Sequence, residues 1–126
     1  MKIERIDHIV LTVADIEKTV QFYTKVLGFD LVTFKNNRKA LTFGNQKINL
    51  HKKGQEFEPK AENPTCGSAD LCFISQTDVT DILKELQEKN IKVVEGIVER
   101  TGALGTIHSV YFRDPDNNLI EVSNYK

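Results

Sequence analysis

The chain has no tryptophan, one methionine, three prolines and two cysteines. Cys66 and Cys72 lack a second pair, so their spacing suggests neither a zinc site nor a disulfide framework. Both are expected to be reduced, with Cys72 serving as a small buried hydrophobe. An excess of charge is missing too: 17 basic residues face 18 acidic ones, for a net charge of −1. That balance excludes the basic stripe of a nucleic-acid binder. No apolar run approaches the roughly 20 residues of a membrane span. No signal peptide is visible, since Met1-Lys2 leads directly into a strand, so a cytoplasmic protein without membrane or nucleic-acid partners is expected.

What is present is an ordinary globular composition, 40% hydrophobic and 28% charged over 126 residues, enough for one compact domain. Ile3 to Val13 alternates as a strand, with Ile9, Leu11 and Val13 on one face and His8, Val10 and Thr12 on the other. Asp15 suits a helix N-cap, Ile16, Val20, Tyr23 and Leu27 recur at helical spacing, and Gly28 supplies the stop. Three strands follow over 29–35, 38–43 and 46–52, separated by Asn36-Asn37 and Gly44-Asn45. Residues 53–68 are polar, contain Pro59, Pro64 and Gly67, and are expected to link.

The same order then returns. A strand over 69–76 precedes a helix capped by Asp78 and stopped at Asn90, and a strand spans 91–99. A turn over 101–105 leads to strands over 106–113 and 118–124. Between the last two, Asp114-Pro115-Asp116-Asn117-Asn118 is a turn sequence, and Pro115 belongs in it because it has no N–H for a ladder. Gly44-Asn45-Gln46-Lys47-Ile48-Asn49-Leu50 matches Asp116-Asn117-Asn118-Leu119-Ile120-Glu121-Val122 in pattern. The expectation is α+β: two β-α-β-β-β modules, about 1–52 and 69–126, forming a curved mixed sheet around a cleft.

The doubled β-α-β-β-β order, a His near the start of the first strand and the terminal Asp-Pro-Asp-x-x-x-Ile-Glu hairpin resemble the vicinal oxygen chelate superfamily. That superfamily comprises glyoxalases, extradiol dioxygenases, fosfomycin thiol transferases and bleomycin-binding proteins. Residues 38–44, 49–51 and 56–60 more narrowly resemble the glyoxalase-domain-containing protein 5 group. The resemblance implies metal ligands on the first and last strand of each module. Those positions hold His8, Asn49, Asp70 and Glu121, and alternation turns all four away from their apolar neighbours.

His8 and Glu121 match the superfamily's ligands directly. Asp70 stands where most active members carry a second His, and Asn49 where glyoxalase I carries a Glu. Asp70 is either an oxygen ligand or a solvated carboxylate. His51, of the same parity as Asn49, is a rival third ligand or a plain strand-end residue. Ser109 and Tyr111 match substrate-contacting positions of the thiol transferases, and Arg113 has the parity to hold an anion. Glu121, Tyr111 and Ser109 are therefore the expected catalytic groups. Ser109, Tyr111, Arg113 and Asn49 are the expected substrate contacts. His108 has the wrong parity and is left out.

The resemblance implies a divalent ion (Zn, Mn, Fe or Ni) that chelates the oxygens of a small-molecule substrate and stabilises an oxyanion or enediolate. The reaction is then of lyase/isomerase, dioxygenase or thiol transferase type, in a two-fold homodimer. The departures at Asn49 and Asp70 motivate an alternative, a metal-free protein that sequesters a small molecule or drug in the manner of bleomycin resistance.

Overall fold

The computed structural model describes residues 1–126. It divides into two compact units, Met1–Cys66 and Gly67–Lys126. Each unit has the expected β-α-β-β-β order and its own four-stranded mixed sheet.

Unit 1 contains β1 (His8–Val13), α1 (Ile16–Lys25), β2 (Asp30–Phe34), β3 (Arg38–Phe43) and β4 (Gln46–Lys52), with strand order β1-β4-β3-β2. The parallel β1–β4 pair sets Ile9 against Ile48 and Leu11 against Leu50. These residues lie on one face with Leu41, and α1 covers that face with Tyr23, which is fully buried. Asp15 caps α1 by accepting from the Lys18 amide at 3.0 Å. At the far end Gly28, at φ +73°, turns the chain so that the Phe29 amide reaches the Tyr23 carbonyl at 3.0 Å. Phe29 then stacks on Phe43 with ring centroids 4.4 Å apart.

The first strand is shorter than its alternation suggests. Its ladder starts at His8 opposite Lys47, because β4 begins only at Gln46, after the Gly44-Asn45 turn. Residues 1–7 have no strand to pair with, and the contact available there is Gln46 Nε2 donating to the Ile6 carbonyl at 2.8 Å.

Unit 2 contains β5 (Asp70–Ile74), α2 (Val79–Glu88), β6 (Val93–Gly102), β7 (Gly105–Arg113) and β8 (Leu119–Tyr125), with strand order β5-β8-β7-β6. Val110, Phe112, Ile120 and Val122 form its core with Val79, Ile82 and Leu86 of α2. Asn90, at φ +57°, ends the helical run. The turn between β6 and β7 is tighter than expected: Gly102 pairs with Gly105, leaving only Ala103 and Leu104 in the loop. Tyr125 steadies that loop by accepting from the Leu104 amide at 3.1 Å.

The β7–β8 hairpin is more than a polar turn. Asp114 and Asn118 are 4% and 1% exposed. One Asp114 oxygen accepts from the Asp116 and Asn118 amides, both at 2.9 Å, and the other from Asn118 Nδ2 at 2.8 Å. Asn118 Oδ1 in turn accepts from the Ala69 amide at 2.9 Å, which ties the hairpin to the start of β5. Buried polar groups require such partners, and here they fix the register that presents Glu121.

Candidate functional site

The face of unit 2 opposite α2 holds a cavity of about 430 Å³ lined by Cys72, Arg100, Ile107, Tyr111, Glu121 and Tyr125, among others. Register explains the grouping. Glu121 on β8 lies between Cys72 on β5 and Tyr111 on β7, and Ser109 lies opposite Ser123. Side chains directly opposite on adjacent strands share a face, so strand pairing converges all five.

Glu121 is half-buried, and its Oε2 accepts from Ser109 Oγ at 2.6 Å. Ser109 is fully buried and is 2.7 Å from Ser123 Oγ, which also reaches Glu121 Oε2 at 3.4 Å. The carboxylate is thus anchored through one oxygen by a pair of hydroxyls. On the other side, Arg100 Nε donates to the Tyr111 hydroxyl at 3.1 Å while its Nη2 binds Glu95 Oε2 at 3.1 Å. The phenolic oxygen therefore accepts from the guanidinium, while its own proton is directed to the Glu121 carboxylate beside it. Burial raises the Tyr111 phenol above its ordinary value, Arg100 opposes that rise, and Glu121 reinforces it. Tyr111 therefore stays protonated at neutral pH.

Among the residues of this cavity that were not anticipated are Arg100 and Cys72. Arg100 was missed because the strand expected over 91–99 stops short of it, whereas β6 runs on to Gly102 and pairs Arg100 with Ile107. Cys72, expected as a buried hydrophobe, is instead exposed on the cavity face, because pairing with Glu121 turns it away from Leu71 and Phe73. Its thiol is 3.4 Å from Ser123 Oγ. Desolvation pushes the thiol up, Ser123 partly offsets this, and the Glu121 charge adds to it.

The other candidates are distributed as follows. Asp70 is exposed at the start of β5, opposite Leu119. Arg113 is exposed and braces the hairpin by donating to the Asn117 carbonyl at 3.2 Å. His108 lies on the opposite face, 3.8 Å from Glu99.

His8, Asn49 and His51 belong to unit 1, on the sheet face opposite α1. His8 Nδ1 is 2.8 Å from Asp7 Oδ1, a contact that orients the ring and leaves Nε2 as its other nitrogen. The Asn49 side-chain oxygen is buried without a hydrogen-bond partner. His51 is 4% exposed, with its ring edge against Phe57 at 5.4 Å. Burial, and next the Arg38 charge, hold its imidazole below the ordinary value.

The donor types at His8 and Glu121, an oriented imidazole and an anchored carboxylate, suit a first-row divalent ion. Nowhere, however, does the chain gather three His, Cys, Asp or Glu side chains into a metal-sized cluster.

The model of the Glyoxalase/Bleomycin resistance protein/Dioxygenase superfamily matches residues 5–122. The chain belongs to that superfamily. Among its superfamily relatives, Virulence protein STM3117 of Salmonella typhimurium is 63% identical over 99% of this chain and 87% of its own. The crystal structure of that protein superposes with a TM-score of 0.99 over the whole of both chains. Glyoxalase domain-containing protein RDO1 of Mycosarcoma maydis is 56% identical, covering all of this chain and 71% of the relative. Metallothiol transferase FosB of Staphylococcus epidermidis is 27% identical over 97% of this chain and 82% of its own. No helix of the superfamily member described here is long and apolar enough to cross a membrane.

Proposed function

We propose that this protein is a small metal-dependent enzyme acting on an oxygen-rich small molecule, with His8 and Glu121 as ligands to one divalent ion and Asp70 or His51 as the third. The observation that carries this reading is Glu121. A carboxylate is anchored by the buried Ser109 hydroxyl on the wall of a cavity of about 430 Å³, beside a protonated phenol. The bound ion would supply Lewis-acid stabilisation of a substrate oxyanion.

The chain's own residues then have separate tasks. Ser109 and Ser123 hold the carboxylate in one orientation. Tyr111, held between Arg100 and Glu121, turns its proton from the carboxylate to a substrate oxygen when one binds and serves as the donor. Arg100, its guanidinium shared with Glu95, fixes the direction in which the phenol points. Similarity to the metallothiol transferases, together with Ser109 and Tyr111, supports thiol transfer as one of the reaction types alongside lyase and dioxygenase chemistry.

The reading includes a two-fold homodimer in which units from different chains complete each site. Support comes from apolar residues on the sheet edges, Val10 and Ile74, which are 45% and 55% exposed. It also includes a reducing, cytoplasmic setting, in keeping with two free cysteines.

The departures from the superfamily's ligand pattern at Asn49 and Asp70 motivate a second reading, a metal-free protein that sequesters a small molecule. Metal content separates the two. Protein purified without added metal should carry a stoichiometric divalent ion, and His8→Ala should lose it while keeping its far-ultraviolet spectrum. Metal-free wild type that gains no affinity for added Zn, Mn, Fe or Ni would leave the binding reading in place.

A further inference from the structure

A second group of unused polar atoms lies wholly within unit 1. Arg38, at the start of β3, pairs with Phe34 at the end of β2 across the hairpin, where Lys35, Asn36 and Asn37 all take positive φ. The guanidinium carbon is 5.6 Å from the Phe34 ring centroid and 4.0 Å from that of Phe57, which folds back from the segment after β4. Two aromatic rings thus lie within cation–π range of the guanidinium, Phe57 the nearer, while no side chain hydrogen-bonds or ion-pairs with it. Lys47 Nζ lies 4.6 Å from the same Phe34 ring and likewise has no carboxylate within 4.0 Å. Phe57 is 41% exposed, so solvent and solutes reach the ring and the guanidinium on it.

The carboxylates that act on this face are occupied elsewhere. Glu56 accepts from the Gly54 amide at 2.8 Å, and Asp7 holds His8. His51 packs its ring edge against the same Phe57, with centroids 5.4 Å apart, which helps to hold that ring beside Arg38.

We propose that Arg38, stacked on Phe57 and Phe34 and assisted by Lys47, is a binding subsite for an oxyanion group of a small organic ligand, a carboxylate or a phosphonate. A guanidinium held flat by aromatic rings has lost its freedom before the ligand arrives, and its open edge matches two coplanar or tetrahedral oxygens. Stacking also keeps the cation from pairing with a nearby carboxylate. The subsite lies in unit 1 alone and does not depend on the metal reading.

The test uses the full chain after chelator treatment, so that metal binding has no part in the result. Methylphosphonate and malonate are titrated separately at low salt, and the Arg38 Nε–Hε resonance and the amides of 38–51 are followed by nuclear magnetic resonance. Saturable shifts confined to that region are expected, and the tighter probe identifies the source of the oxyanion. Arg38→Met should weaken binding about tenfold or more, the usual loss with a charge-assisted hydrogen bond. Phe57→Ala keeps every charge and should weaken it about threefold, the low end for a cation–ring contact. No saturable shift at Arg38 with either probe, or shifts scattered over the surface lysines, would overturn the proposal. So would equal binding by Arg38→Met. If Arg38→Met does not fold, Phe57→Ala decides, and unchanged binding by that variant refutes the subsite.

Discussion

Ser109→Ala isolates the interaction that defines the candidate site. The hydroxyl is fully buried, donates to Glu121 Oε2 at 2.6 Å and is 2.7 Å from Ser123 Oγ. Alanine removes one oxygen and leaves almost no void, so the loss is one of hydrogen bonding and not of packing. A hydrogen bond to a charged group contributes about 1.5–3 kcal/mol. Glu121 is only half-buried and Ser123 Oγ, at 3.4 Å, can close on the vacated oxygen, so the lower end applies, about 1.5 kcal/mol. For a domain of this size that is a fall in Tm of about 5 °C. If Glu121 ligates an ion, loss of the group that orients it should also weaken metal binding about tenfold. Urea and thermal melts of the chelated protein read the first effect, and competition against a chromogenic chelator reads the second. A double-mutant cycle with Glu121→Gln checks the assignment. A coupling energy below about 0.3 kcal/mol, the size expected of independent sites, would refute the claim that Ser109 acts through this carboxylate.

Gly67→Ala should destabilise unit 2 by about 2 kcal/mol or more, because Gly67 sits at φ +77° and an added Cβ would lie 2.5 Å from the Asp116 carbonyl oxygen. Urea denaturation measures this, and a change below about 0.5 kcal/mol would refute it. Cys72 should alkylate slowly at neutral pH despite its exposure: its thiol is held above the ordinary value of 9.0, and only the thiolate attacks. The rate with iodoacetamide, followed against pH in a Cys66→Ser background, should have its midpoint above 9.0 and move further up in Ser123→Ala, which loses the one neighbour that lowers it. A midpoint at or below 9.0 would contradict the burial argument.

The sequence by itself determined the doubled β-α-β-β-β order, the helix caps at Asp15 and Asp78 and the β7–β8 hairpin. These depend on side-chain period, on backbone hydrogen-bond acceptors at helix starts and on the conformational freedom of Gly and Asn, all of which act over a few residues. Parity also placed Ser109, Tyr111 and Glu121 on one face, because two-residue alternation survives wherever strands pair regularly. Tertiary structure alone decided what lies beside them. Arg100 reached Tyr111 across an irregular stretch of β6, and Cys72 came to Glu121 because β5 and β8, nearly fifty residues apart, pair in parallel. The stacking of Phe57 on Arg38 was equally out of reach, since a residue in the segment after β4 has no period from which its direction follows. Contacts between elements distant in sequence are set by pairing register and loop path, and neither is written in the residues that make the contact.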